Sequence, residues 1–127
     1  MTDSNTRIDE PTDLHRAWAE RFNAADVDGM LALAEPGSAF VPQPGVVVVG
    51  DDYRGALEQF LAMRLPINLT LRRHVVVGDI ALLLYDWTIK GTDAQGNEVH
   101  LSGTTADVAR EGSDGWRFVI DNPFGTA

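Results

Sequence analysis

The longest β-rich stretch of the chain is residues 67–90, which have the sequence INLTLRRHVVVGDIALLLYDWTIK. Two runs rich in β-branched, aliphatic and aromatic residues flank Gly78-Asp79, a pair that favours a two-residue hairpin turn. Two more β-rich runs, 98–110 and 115–121, are also bounded by turn residues. The second half of the chain therefore predicts a mostly antiparallel sheet.

Three segments before this sheet combine a helix-capping residue with apolar residues at three- and four-residue spacing. They begin at Thr12 or Asp13, at Asp26, and at Asp51 or Asp52. Two short β-rich pieces, 38–41 and 46–49, are interrupted by prolines and predict short edge strands. Helices followed by antiparallel strands indicate an α+β fold, with three N-terminal helices packed on one face of a strongly curved sheet.

Length and composition predict one domain. A chain of 127 residues with 44% hydrophobic residues is sufficient for a single core. Residues 1–11 are polar and lack periodicity, so we expect a flexible leader followed by a single domain over 12–127. No apolar run approaches the ~20 residues of a membrane-spanning helix, and the N-terminus lacks a secretory pattern, which predicts a cytoplasmic protein.

The charge and the missing residue types exclude several function classes. A net charge of -9 repels phosphate groups and anionic lipids, so neither nucleic acid nor a membrane surface is expected as a partner. The absence of cysteine excludes disulfides, thiolate nucleophiles and cysteine-bound zinc. The three histidines lack metal-ligand spacing and the glycines form no phosphate-binding pattern, so we expect no metal and no cofactor.

The turn at Gly78-Asp79 also predicts which residues share a sheet face. It places His74 opposite Leu83 and Arg72 opposite Tyr85. Extended across the sheet, the register predicts one mixed face with Arg72, His74, Tyr85, Trp87, Thr105, Asp107 and Asp121. The opposite face is predicted to be apolar, with Val75, Val77, Leu82, Leu84, Ala106, Val108, Phe118 and Ile120.

Three short segments carry a family resemblance: AADVDGM at 24–30, VGDDYRGA at 49–56, and DVAR at 107–110 with DGWR at 114–117. With the order of elements, they resemble the cone-shaped fold shared by nuclear transport factor 2, the SnoaL-like polyketide cyclases and the ketosteroid isomerases. The resemblance covers about residues 12–124. It implies an apolar pocket inside the cone and a homodimer formed through exposed sheet, whereas activities on one fold vary widely.

The isomerase comparison is specific for three positions. Trp18 falls where the isomerases have the tyrosine that donates a hydrogen bond to the substrate oxyanion. The catalytic base falls at Pro42 or Gln43, neither of which accepts a proton from carbon at neutral pH. Asp107 matches the second oxyanion donor, an aspartic acid kept protonated by an apolar site. The resemblance therefore argues against steroid isomerase activity.

These observations define a candidate catalytic set. Asp107 is expected to polarise an oxygen, Tyr85 or Trp18 to donate a second hydrogen bond, and His74 to act as the base. His15 lies one turn before Trp18, so it faces either the mouth of the cone or the solvent at the start of the helix, and the second is expected. The candidate ligand-binding residues are mainly aromatic: Trp18, Phe22, Phe40, Tyr53, Phe60, Trp87 and Asp121.

Structural alternatives remain open for most of these residues. Asp107 is also explained as a strand residue paired with Arg72, Arg110 or Arg117. The aromatic residues also suit a filled core, and Tyr85 and Trp87, which lie on the sheet, also suit a dimer interface. Asp121 is equally consistent with a turn at the end of the last strand.

Three functions follow from the candidate site. The first is metal-free acid/base chemistry on a small apolar carbonyl, lactone or polyketide-like compound, of isomerase, cyclase or lyase type. The second is a non-catalytic ligand-binding or association domain, and a cavity well below roughly 300 Å³ would favour it. The third is epoxide hydrolysis, which requires Arg72 to share a sheet face with Asp107 and Asp121.

Overall fold

The computed structural model describes residues 7–127, and this part of the chain contains three α-helices and seven strands. Their order is the predicted one, except that the run 98–110 forms two strands rather than one. A short 3₁₀ turn, Pro11–Asp13, leads into the first helix. The helices are α1 (Leu14–Asn23), α2 (Val27–Leu31) and α3 (Gly50–Leu61). The strands are β1 (Ala34–Gln43), β2 (Val46–Val48), β3 (Ile67–Val77), β4 (Ile80–Thr92), β5 (Glu98–Thr104), β6 (Asp107–Gly112) and β7 (Gly115–Asp121). None of the helices in residues 7–127 has the length and apolar character needed to cross a membrane.

All seven strands form one sheet in the order β2-β1-β7-β6-β4-β3, with β5 also paired to β4. Only β1 and β7 are parallel, and every other pair is antiparallel. The predicted α+β fold with a mostly antiparallel sheet is confirmed. Asp26 caps α2 as expected, because its carboxylate accepts a hydrogen bond from the Gly29 N–H at 2.9 Å.

The long strand β4 runs through the centre of the sheet and defines its two faces. Its residues 81, 83, 85, 87 and 89 are buried, whereas those between them are half-buried or exposed. This alternation is expected for a strand with one side against helices and the other side open. The buried side, which we call the inner face, packs against α1 and α3 and forms the core.

Two bulges change the predicted register. The pairing of His74 with Leu83 is confirmed, but Leu71 rather than Arg72 lies opposite Tyr85, because β3 contains a register shift at Arg72. A second shift lies between β6 and β7, where Ala109 pairs with Phe118. The prediction that Phe118 lies on the apolar outer face is therefore wrong, since the second bulge turns its side chain to the inner face, where it is buried.

The first strand is longer and more central than predicted. β1 continues through Pro36 and Gly37 and pairs with both β2 and β7, so of the two predicted edge strands β2 lies at an edge and β1 does not. The proline is tolerated because the pairing with β7 has a register shift between Ala34 and Ala39.

Part of the predicted leader is packed against the sheet. Ile8 is buried, and its carbonyl accepts a hydrogen bond from the Trp116 N–H at 2.8 Å. Gly115 permits this contact because a Cβ there would lie 2.5 Å from the Ile8 carbonyl oxygen, and its φ of +99° also favours glycine. Ile8 therefore attaches this part of the predicted leader to the sheet. The remainder of the predicted leader, residues 1–6, lies outside the described residues.

Candidate active site

A buried histidine–aspartate pair lies at the centre of the inner face. His15, on the first turn of α1, is 3% exposed, and Asp107, at the start of β6, is 1% exposed. The distance from His15 Nε2 to Asp107 Oδ2 is 2.6 Å, a short hydrogen bond. His15 reaches the sheet because it shares one face of α1 with Trp18 and Phe22, three and seven residues further along the helix.

A second buried carboxyl group completes the cluster. Asp121, at the end of β7, is 5% exposed and forms a side-chain hydrogen bond with Asp107. The other Asp107 oxygen, Oδ1, accepts a hydrogen bond from the Asn122 N–H at 2.6 Å. We refer to His15, Asp107 and Asp121 together as the polar cluster.

Burial shifts the protonation of all three groups toward the uncharged form. It raises the pKa of Asp107 to about 7, although hydrogen bonds from Asn122, Thr105 and Asp121 oppose the shift. The pKa of Asp121 is raised well above its ordinary value, first by burial and then by the charge of Asp107. Burial lowers the pKa of His15 to about 4, partly offset by the charge of Asp121. Near neutral pH the cluster therefore contains a neutral imidazole and two carboxyl groups of which at least one is protonated.

Aromatic rings fix the position of His15. The Tyr85 ring stacks on the imidazole with a centroid separation of 3.8 Å, and Phe118 meets it edge-on at 5.0 Å. The Tyr85 hydroxyl donates to the Thr12 carbonyl at 3.0 Å. Tyr85 was expected to donate to a ligand, but its hydroxyl is already bonded at the start of α1, and its contact with the site is through its ring.

A cavity of about 30 Å³ lies beside the polar cluster. Aliphatic and aromatic side chains form most of its lining, together with the polar cluster, Thr105 and Pro123. The lining residues are His15, Trp18, Phe22, Phe40, Leu57, Phe60, Ile67, Leu69, Trp87, Ile89, Thr105, Asp107, Phe118, Asp121 and Pro123. A water needs roughly 10–15 Å³ by this measure, so the cavity holds only a few atoms. It is far smaller than the roughly 300 Å³ typical of sites for drug-sized ligands.

Two polar atoms of the cluster are buried without a hydrogen-bond partner among the described residues: His15 Nδ1 and Asp121 Oδ2. Both belong to residues that line the cavity, although the cavity wall itself is almost wholly apolar. The cluster is therefore recessed behind a hydrophobic surface.

Of the ten site residues predicted from the sequence, three do not line the cavity: Tyr85, described above, Tyr53 and His74. Seven of them line the cavity: Trp18, Phe22, Phe40, Phe60, Trp87, Asp107 and Asp121. Tyr53 is buried behind Phe40, with ring centroids 5.0 Å apart, and its pKa is raised first by burial and then by the charges of Asp121 and Asp107. His74 is exposed in a groove formed by residues 9–12, Val76, Glu111 and Trp116.

His74 therefore does not lie beside Asp107, where the predicted base was expected. His15 occupies that position instead. The expectation that His15 is solvated is wrong because the helix places it on the same face as Trp18 and Phe22. This spacing is the signal that could have found it: a histidine in the apolar stripe of a helix faces the core.

None of Arg72, Arg110 and Arg117 joins the polar cluster. Arg72 pairs with Asp86 at 3.0 Å, so the arrangement of arginine and two aspartates needed for the epoxide hydrolase hypothesis is not formed. Arg110 pairs with Glu35 and Arg117 lies 3.6 Å from Asp114. The alternative in which Asp107 is a strand residue paired to one of these three arginines is therefore wrong. No group of three or more His, Cys, Asp or Glu side chains with an arrangement suited to a metal ion occurs within residues 7–127.

Comparison with solved structures finds the same fold in several proteins. A conserved protein from Planctomyces limnophilus DSM 3776 is 21% identical, with 87% of this chain and 88% of that chain covered and a TM-score of 0.77. A Thiobacillus denitrificans protein, assigned as a calcium/calmodulin-dependent protein kinase type II association domain, is 16% identical over 92% of this chain and 95% of that chain, with a TM-score of 0.76. A ketosteroid isomerase-like protein from Erwinia carotovora atroseptica is 14% identical over 87% of this chain and 89% of that chain, with a TM-score of 0.71. At these identities the likeness concerns the fold alone.

Sequence comparison gives the family. Among curated proteins, none matches the chain. The family model described as the SnoaL-like domain matches residues 15–120, which include His15, Asp107 and all three helices except the first residue of α1. The predicted nuclear transport factor 2-like fold is confirmed, and the chain belongs to the SnoaL-like domain family.

Proposed function

We propose that the protein binds a small apolar compound in its cone and carries out metal-free proton transfer on it at the polar cluster. The substrate class would be a carbonyl or polyketide-like compound, and the reaction an isomerisation, cyclisation or elimination. The observation that supports this proposal most directly is the burial of one histidine and two carboxyl groups, with two polar atoms unpartnered, beside an aromatic cavity.

The energetic cost of the polar cluster argues for a role beyond packing. Each buried polar atom without a partner destabilises the fold by about 1–3 kcal/mol, and charging a buried carboxyl group costs more. Apolar residues of similar size would fill the same space at lower cost. Buried titratable groups with shifted pKa values are typical of functional sites.

The arrangement supports an acid/base mechanism. A neutral His15 can accept a proton from a ligand, and Asp107, hydrogen-bonded to Nε2, holds the imidazole in place and stabilises its protonated form. Asp121 with its raised pKa provides a protonated carboxyl group near the same cavity. The apolar wall keeps water away, which strengthens each of these interactions.

Binding would require the cavity to open, because about 30 Å³ admits only a few atoms. Trp18 and Phe60 line the cavity and are each only half-buried, so they are the side chains best placed to move. Trp87 is held more firmly, since its indole N–H donates to the Pro123 carbonyl at 2.6 Å.

A panel of small carbonyl compounds, lactones and hydroxyketones tests the proposal. Ligands would be detected by the shift in melting temperature, and turnover by NMR of the compound. We expect at least one compound to stabilise the wild type and to be converted, and both effects to be lost in Asp107→Asn and His15→Gln. His74→Gln is the matched control, because His74 is exposed outside the cavity. A panel with no stabilising compound, or equal responses in all variants, would contradict the proposal.

A second candidate function, a non-catalytic association domain, is favoured by the small cavity and by an apolar outer face. Val75, Leu82, Val108 and Ile120 lie opposite one another across four strands on that face. Three of them are exposed, by 39–47%. Such a row would suit a homodimer, and the Thiobacillus denitrificans protein of this fold is described as an association domain.

Sedimentation equilibrium of the wild type, of Leu82→Glu and of Leu101→Glu tests this candidate. Leu82 and Leu101 are almost equally exposed, at 39% and 38%, but Leu101 lies on β5 opposite the inner-face residue Ile89. We expect a dimer that only Leu82→Glu dissociates. A monomeric wild type, or a dimer that both variants leave intact, would contradict it.

A further inference from the structure

The hydrogen bonds around Asp107 determine where the protons of the polar cluster lie. The backbone N–H of Asn122 can only donate, so Asp107 Oδ1 is an acceptor. Asp121 and His15 both approach the same carboxyl group. A carboxyl group surrounded by three donors is stabilised as the carboxylate. This favours a cluster in which Asp107 is the carboxylate and its neighbours donate to it.

The remaining atoms of the cluster are then acceptors. Asp121 donates its proton to Asp107, which leaves its other carboxyl oxygen as a carbonyl-type acceptor. His15 is neutral and carries its hydrogen on Nε2, which leaves the unpartnered Nδ1 with a lone pair. His15 Nδ1 and this second Asp121 oxygen are therefore both acceptors, and a ligand can satisfy both only by donating hydrogen bonds.

The net charge of the cluster in this state is one negative charge. Within residues 7–127, the ion pairs of arginine involve other carboxylates, and none reaches Asp107 or Asp121. The cavity beside the cluster is lined by aromatic rings, including Trp18, Phe60 and Trp87. Aromatic faces attract cations, and an uncompensated buried carboxylate attracts them more strongly.

From this geometry we propose that the polar cluster selects a compact apolar ligand that carries a hydrogen-bond donor, with a primary ammonium group as its preferred form. The inference rests on the proposed function, because it concerns the ligand of the same site. An ammonium group has three donors and no acceptor, so it can donate to the second Asp121 oxygen and to His15 Nδ1 while balancing the charge of Asp107. The substrate of the proposed reaction would then be an amino- or hydroxy-substituted compound rather than a simple ketone, and a carboxylate would be rejected.

Four probes with the same ring and different polar groups test this selection: cyclopentylamine as its ammonium ion, cyclopentanol, cyclopentanone and cyclopentanecarboxylate. Binding would be measured by the change in ¹H–¹⁵N NMR spectra of the full chain near pH 7. We expect the order ammonium, alcohol, ketone, with the ammonium at least about tenfold tighter than the ketone and no binding of the carboxylate. Asp121→Asn should reduce the preference for the ammonium, whereas Asp86→Asn, on the outer face, should leave it unchanged.

Preferential binding of cyclopentanone or of the carboxylate would overturn the donor-selection inference and leave the proposed pocket intact. Failure of all four probes to bind would contradict both. The tautomer of His15 gives an independent reading that needs no ligand. Imidazole ¹⁵N shifts, assigned with His15→Gln, should show the hydrogen on Nε2, and a hydrogen on Nδ1 would overturn the inference.

Discussion

Asp107 and Asp86 lie on opposite faces of the same sheet, and their environments have opposite effects on them. On the inner face, burial raises the pKa of Asp107 to about 7 and its partner is a neutral histidine. On the outer face, hydrogen bonds from Thr104 and Arg72 lower the pKa of Asp86, which remains exposed to water. The side of the sheet on which a carboxyl group lies thus determines the direction in which its pKa is shifted.

The two faces should differ most in how much the free energy of unfolding falls when an apolar side chain is shortened. Leu83 is fully buried on the inner face, and its neighbour Leu82 is 39% exposed on the outer face. Leu83→Ala should lower the free energy of unfolding by about 2–5 kcal/mol, because it leaves a cavity in the core. Leu82→Ala should lower it by less than about 1 kcal/mol in the monomer. Urea denaturation measures both, and equal losses would break the distinction between the faces.

The next largest effect is on the pH dependence of stability. The raised pKa of Asp107 means that its contribution is complete below its ordinary value of 3.8 and is lost as the pH rises through about 7. His15 has the opposite sign: its contribution is complete above 6.5 and is lost as the pH falls through about 4. Between pH 6.5 and 8 the carboxyl groups of the cluster dominate, so wild-type stability should fall as the pH rises.

Asp107→Asn should reduce this fall, and Asp86→Asn should not change it. The contribution of Asp86, whose pKa is lowered, is complete above 3.8 and changes only in acid. Thermal unfolding at several pH values makes the comparison. A wild-type profile that is flat or rising over this range would show that burial does not raise the pKa of Asp107.

The smallest effect is expected for the ion pair on the outer face. Arg72 and Asp86 approach to 3.0 Å but are both largely solvated. Arg72→Ala should change the free energy of unfolding by less than about 1 kcal/mol, because water competes for both charges. A loss comparable with that of Leu83→Ala would mean that the outer face is covered in solution, which sedimentation of the same variant would detect.

The elements of the fold follow from periodicity, and five of the residues that line the cavity follow from the aromatic pattern. The Gly78-Asp79 turn fixes the pairing of His74 with Leu83, and the start of α2 follows from the capping preference of Asp26. These are local properties of the chain. Asp107 and Asp121 are found because strand alternation and the family resemblance place them on one face.

The positions that sequence reasoning missed depend on long-range packing. The bulges at Arg72 and between β6 and β7 each shift the register by one residue, and no turn residue marks either of them. They move Arg72 away from the cluster and turn Phe118 toward it. His15 was missed because a polar residue in the first turn of a helix is usually solvated, although its spacing from Trp18 and Phe22 indicated the core.

The protonation of Asp107 is the most direct test of the desolvated cluster. A ¹³C NMR titration of the aspartate carboxyl groups, with the Asp107 signal assigned by its loss in Asp107→Asn, measures it in the full chain. We predict a transition near pH 7, accompanied by a shift of the Asp121 signal because the two groups are hydrogen-bonded. A transition of Asp107 near 3.8, the value of a carboxyl group in water, would contradict the account.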